Sequence, residues 1–137
     1  DENPKPDGER GTLRSAGCHL HISYKTPNPA TSIKLIKYLD MYLGIPSVVM
    51  DPDTKRRTLY GKAGDFRLKA YGVEYRTLSS YFISSQETLE FVWNGIMRAI
   101  NAYNYNLPLI NAETVQNTIN NSDVETAKCL IEKYNLV

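Results

Sequence analysis

From Ser15 to Tyr24 apolar and polar residues alternate, with Cys18, Leu20 and Ile22 on one side and His19, His21 and Ser23 on the other. A period of two is that of a half-buried strand. The segment is therefore expected as a strand with one apolar face and one face carrying chemistry. The period then changes. Asn28-Pro29 supplies an N-cap and a first-turn proline, and Ile33, Ile36, Tyr38, Leu39 and Leu43 recur at helical spacing until Gly44 and Pro46. This predicts a helix over 29–43. A short apolar run, Val48-Val49-Met50, leads to a turn at Asp51-Pro52-Asp53.

Gly61, Gly64 and Gly72 then punctuate short extended pieces, and Val73 to Phe82 is rich in β-branched and aromatic residues, which predicts a loop ending in a strand. Alternation places Glu74, Arg76 and Leu78 on one face and Val73, Tyr75 and Thr77 on the other. The carboxylate and the guanidinium look the same way. The remainder is helical. Ser84-Ser85-Gln86-Glu87 has capping-box form, and Leu89, Val92, Trp93, Ile96, Met97, Ile100 and Tyr103 follow at three and four, a stripe that reads as a core face. Asn111 and Ser122 are expected to cap two more helices, the second with Glu125 at the box position and an apolar edge at Cys129-Leu130. There is no internal repeat.

At 137 residues, 42% apolar and 23% charged, the chain suits one globular domain, and no apolar run approaches the ~18 residues of a membrane helix. Two cysteines, Cys18 and Cys129, make no disulfide framework and fit a reduced, cytoplasmic compartment. The chain opens on Asp1 in a Pro/Gly/Asp-rich loop over 1–12, as a fragment or processed product would. Residues 13–82 are expected to hold the sheet and a functional loop, and 84–137 the helices.

Charge changes this picture more than composition does. The formal net charge is +1, yet residues 55–76 carry Lys55, Arg56, Arg57, Lys62, Arg67, Lys69 and Arg76 against Asp65 and Glu74, a local net of +5. Such a field draws phosphates or carboxylates, although a solvated basic hairpin has the same pattern. Arginine at 56, 57, 67 and 76 favours fork-like recognition of planar anions, and the glycines of Y-G-K-A-G let the backbone approach one. The stretch lacks the spacing of a P-loop.

Two histidines at i and i+2 on a strand project to one side about 6.6–6.8 Å apart, so His19 and His21 reach one metal or two neighbouring ligands. A hydrogen-bonded structural pair fits the spacing as well. No third ligand lies nearby in sequence, and Tyr24 and Lys25 stand where a cupin would place its Glu. Glu74, in a strand of apolar and aromatic character, is costly to bury alone. It is exposed, paired to Arg76 or a neighbour, or bound to a cation.

Three runs carry a family resemblance: L-R-S-A-G-C-H-L-H-I at 13–22, Y-L-G-I-P-S-V-V-M-D at 42–51, and R-R-T-L-Y-G-K-A-G-D-F-R-L-K-A-Y-G-V-E-Y-R-T-L-S at 56–79. With G-x-H-x-H and G-V-E-Y-R in order, the chain resembles the phage-encoded carboxylate-amine ligases (amidoligases, type 2) of the glutamine synthetase and glutamate-cysteine ligase superfamily, over roughly residues 2–105. The resemblance implies an α+β fold like the C-terminal half of a glutamine synthetase-like catalytic domain, with an antiparallel sheet whose inner face presents His19, His21, Glu74 and Arg76. It implies that His19 and Glu74 hold Mg²⁺ or Mn²⁺ bridging ATP phosphates, and that His21 faces the nucleotide. Arg76 would contact the acceptor carboxylate or the transferring phosphoryl. Arg57, Lys62, Arg67 and Lys69 would neutralise phosphate charge, with Lys62, Arg67 and Lys69 on the nucleotide.

The implied reaction is ATP-dependent amide formation through an acyl phosphate, joining carboxylate and amine substrates, small molecules or peptides, in a bacterial host cytoplasm during infection. That chemistry needs a divalent ion and cations and little covalent work from the protein. Members of the superfamily carry further metal-binding acids on strands before the H-x-H strand. These 137 residues alone are accordingly expected to be poorly active, completed by an N-terminal half or a partner subunit, with a homo-oligomeric ring as one arrangement. The alternative is a catalytically inactive binding or structural module of a phage particle. Third comes single-stranded nucleic acid held by Tyr60, Phe66, Tyr71 and Tyr75 among the cations; no membrane partner is expected.

Overall fold

The computed structural model describes residues 16–137; the expected loop over 1–12 and the start of the first strand at Ser15 lie outside the described residues. The chain runs β1 (Leu20–Ser23), α1 (Pro29–Leu39), a π turn (Asp40–Gly44), α2 (Ile45–Met50), α3 (Lys55–Leu59), β2 (Phe66–Lys69), β3 (Gly72–Tyr75), a 3₁₀ turn (Ser80–Ile83), α4 (Gln86–Asn104), α5 (Ala112–Asn120) and α6 (Val124–Tyr134). It is an α+β fold. The strands form one antiparallel sheet in the order β1-β3-β2, so β3 is central.

The alternation expected of β1 is present: Leu20 and Ile22 are half-buried, and His21 and Ser23 exposed. In register, His21 and Arg67 flank Glu74, while Leu20 and Phe66 flank Tyr75. Each face of the sheet therefore repeats one kind of residue across three strands. Val73 and Tyr75 are fully buried and pack with Leu35, Ile36, Leu39 and Leu43 of α1 and the π turn. The face with His21, Glu74 and Arg67 is the one turned away from this core. Burying the apolar row leaves the ionic row towards water.

Asn28 caps α1 by accepting from the Thr31 amide at 3.0 Å, with Pro29 in the first turn. The helix does not stop at Gly44 and Pro46, however. It widens into the π turn, closed by the Ile45 amide on the Asp40 carbonyl, and continues as α2, so Val48-Val49-Met50 is helical. Pro46 is tolerated because it stands in the first turn of α2. Gly44 is a packing glycine: a Cβ there would meet Ile119 Cδ1 at 2.7 Å and the Tyr75 hydroxyl at 3.1 Å.

The expected strand over 73–82 is regular only to Tyr75. Thr77 and Leu78 are both fully buried, which breaks the alternation and puts Leu78 in the core rather than beside Glu74. The reason is Arg56, whose buried guanidinium donates to the Thr77 and Leu78 carbonyls, each at 2.9 Å. The chain rejoins β1 only through an isolated bridge between Gly17 and Ser79.

The capping box of α4 is formed by Ser85 and Thr88, not by Ser84 and Glu87. Helix α4 meets the core through Val92, Gly95, Ala99 and Ala102, whereas Trp93 is 64% exposed and Leu89 and Met97 are also outside. The stripe read as core is thus partly a surface. Small residues let α4 close on Leu43, which a Cβ at Gly95 would strike at 2.2 Å. Asn111 caps α5 as expected. The cap of α6 is Asp123 rather than Ser122, which takes φ +51°.

Candidate functional site

The site is the ionic face of the sheet, centred on Glu74. Because β3 is central and its neighbours are in register, Glu74 lies between His21 and Arg67, with His19, Lys69 and Arg76 one step along. Its carboxylate is only 3% exposed, covered by these side chains. Glu74 Oε2 lies 3.0 Å from Lys69 Nζ, and Oε1 lies 3.1 Å from His19 Nδ1 and 3.5 Å from Arg76 Nε. Burial pushes the Glu74 carboxyl up, but the hydrogen bond and charge of Lys69, with Arg67 and His19, outweigh it and hold the group below its ordinary range. It is an ionised hub.

His19 is lowered as well, which for a base means loss of charge. Partial burial and the Arg76 charge lower its pKa against the pull of Glu74 and Asp65, so the ring is neutral at neutral pH. A neutral ring that donates Nδ1–H to Glu74 leaves Nε2 as an acceptor, 3.4 Å from the Tyr60 hydroxyl. Tyr60 organises the far edge. Its hydroxyl meets Arg76 Nη2, and its ring lies 5.2 Å from the Arg76 guanidinium and 5.1 Å from that of Arg56. Arg76 also faces Asp65 at 3.7 Å and donates its amide to the Asp65 carbonyl at 2.8 Å. At the hairpin end His21 Nδ1 meets the Tyr71 hydroxyl.

Six of the eight singled-out residues therefore meet on one face: His19, His21, Arg67, Lys69, Glu74 and Arg76. Arg57 does not. It is 4% exposed, donates Nη2 to Ser47 Oγ at 2.9 Å, and sits among Asp51, Tyr75 and Asp40 in the core. Lys62 is partly buried in the loop before β2, where its carbonyl accepts from Thr77 Oγ1 at 3.0 Å. Tyr60, Tyr71 and Asp65 belong to the face but were not anticipated in these roles. The period-two run Asp65, Arg67, Lys69 was the signal that would have found the last of them.

Among the described residues no three His, Cys, Asp or Glu side chains are gathered to hold a metal. His19 and Glu74 are neighbours with donor atoms a divalent ion accepts, and an ion held between Nδ1 and Oε1 would replace the hydrogen bond that now joins them. The remaining positions would fall to water and phosphate oxygens.

The sheet is backed by helices on one side and on the other carries Arg67, Lys69 and Arg76 around Glu74 and Asp65. A family model for phage phiEco32-like COOH.NH2 ligase, type 2, matches residues 13–132, and the chain belongs to that family. The resemblance carried by G-x-H-x-H and G-V-E-Y-R leads to the same family, and a ligase function follows at that level. No curated protein and no solved structure matches the chain. No helix among the described residues is long and apolar enough to cross a membrane.

Proposed function

We propose that this face binds the phosphates of ATP and supports phosphoryl transfer to a carboxylate, whose acyl phosphate an amine then opens to an amide with release of phosphate. The observation that carries the reading is the imbalance around Glu74: Arg67, Lys69 and Arg76 share one face with two carboxylates, Glu74 and Asp65. Negative charge spread over a transferring phosphoryl and its oxygens is what such a preorganised set stabilises.

His19 and Glu74 are the residues to hold Mg²⁺ or Mn²⁺, which when bound supplies charge neutralisation of the phosphates. Lys69, partly exposed, is the group that yields its place on Glu74. Arg76, fixed by Tyr60 and Asp65, is preorganised for the planar acceptor carboxylate. His21, at the open hairpin end, and Arg67 face the nucleotide, and Lys62 approaches from the loop. Arg57 serves from the core, where its charge balances Asp51 and Asp40. Two protein donors leave a hard ion dependent on phosphate oxygens, so metal and nucleotide should bind together.

Paramagnetic broadening tests this. Mn²⁺ added with ATP should erase the amide signals of residues around His19 and Glu74, and Glu74→Gln should restore them. Broadening that is the same without ATP, or survives in Glu74→Gln, contradicts the proposal and leaves the binding-module reading in its place.

A further inference from the structure

The other side of the sheet holds a second buried carboxyl, for which the ligase reading has no use. Asp40 opens the π turn, a distortion found often at functional sites. It is 5% exposed and accepts from the Tyr75 hydroxyl at 2.8 Å and from the Gly64 amide. No cation of the described residues pairs with it; Arg57 acts on it only through space. A carboxylate offers about four acceptor positions, and two are taken.

Asp40 is also the buried charge of a cavity of about 260 Å³, whose walls include Ile33, Ile36, Phe66, Leu109, Ile110 and Val115. The walls are mainly apolar and Asp40 is the one acid among the lining residues, which favours an apolar body carrying a positive charge. We propose that this cavity binds a small protonated primary amine, its hydrocarbon part against the apolar walls and its ammonium on Asp40. The site rests on the cavity alone and stands or falls separately from the ligase reading.

The surrounding groups set its conditions. Burial raises the Asp40 carboxyl to about 7 against the Tyr75 and Gly64 hydrogen bonds and the Arg57 charge, with Asp65 adding to the rise. A bound ammonium favours the ionised form, so binding strengthens from pH 6 to pH 8. Lys37 lines the cavity from the exposed side of α1 and adds a like charge to its wall.

The experiment compares benzylamine with benzyl alcohol on the ¹⁵N-labelled 137-residue chain at pH 8, following the Gly64, Ile36 and Gln116 amides. The amine should bind about tenfold more tightly than the alcohol, as one charge-assisted hydrogen bond provides. Asp40→Asn should equalise the two, and Lys37→Met should tighten the amine. Equal affinity of amine and alcohol for the unaltered chain, no saturable binding, or amide shifts centred on Glu74 would each overturn the proposal; the alcohol comparison needs no variant to fold.

Discussion

Glu74 and Asp40 are both almost completely buried, stand on opposite faces of one three-stranded sheet, and titrate in opposite directions. Glu74 is held below its usual range and Asp40 is raised to about 7. Burial works the same way on both, so partners make the difference. Glu74 has Lys69, His19 and Arg76 within 3.5 Å, while Asp40 has one hydroxyl and one amide. The alternation of β3 connects them: Glu74 belongs to the ionic row, and the next residue, Tyr75, reaches through the core to Asp40. One strand thus carries an ionised carboxylate on one side and touches a carboxyl raised to about 7 on the other.

The largest break in that contrast should come from Glu74→Gln. Removing the hub leaves Lys69, Arg76 and His19 facing one another, at a cost of about 3 kcal/mol in urea unfolding at pH 7. Tyr75→Phe comes next. Asp40 loses the neutral donor that helps hold its proton affinity down, so its carboxyl should rise further, with a loss of about 1–2 kcal/mol at pH 8. Lys69→Ala should cost about 1 kcal/mol and move the Glu74 titration upward, read from carboxyl ¹³C shifts.

Stability against pH sharpens the comparison, because the two groups act with opposite sign. Glu74, lowered from 4.5, contributes stability that is complete above 4.5 and lost as pH falls through its folded value. Asp40, raised from 3.8 to about 7, favours the folded state while protonated, so stability declines as pH climbs from 3.8 through 7. Asp40→Asn should flatten that decline in a series of melting curves and leave the acid limb unchanged. The smallest effect belongs to Trp93→Ser on the exposed side of α4, within about 0.5 kcal/mol in the same melting curves.

Much of the site was legible because strand alternation is a local rule. The H-x-H and E-x-R spacings put His19, His21, Glu74 and Arg76 on one face, and the structure has them there. What period two cannot show is which face meets the helices. Nor does sequence show when a glycine is there for packing: Gly44 has the form of a terminator, yet it makes space for Ile119 and Tyr75 while the helix runs on. Arg56 and Arg57 belonged to a basic run that looked like one patch, but long side chains choose their targets in three dimensions. Both turned into the core, Arg56 to the Thr77 and Leu78 carbonyls and Arg57 to Ser47. Asp40 gave no signal at all, since its burial depends on the π turn and on a tyrosine 35 residues away.

The most direct test of the functional account is to titrate the ¹⁵N-labelled chain with Mg·ATP and map the amide shifts onto the two faces of the sheet. The account predicts shifts gathered on His19, His21, Arg67, Lys69, Glu74 and Arg76, with Gly64 and the Asp40 cavity unmoved. Shifts centred on the Asp40 side, or none at saturating nucleotide, would contradict it.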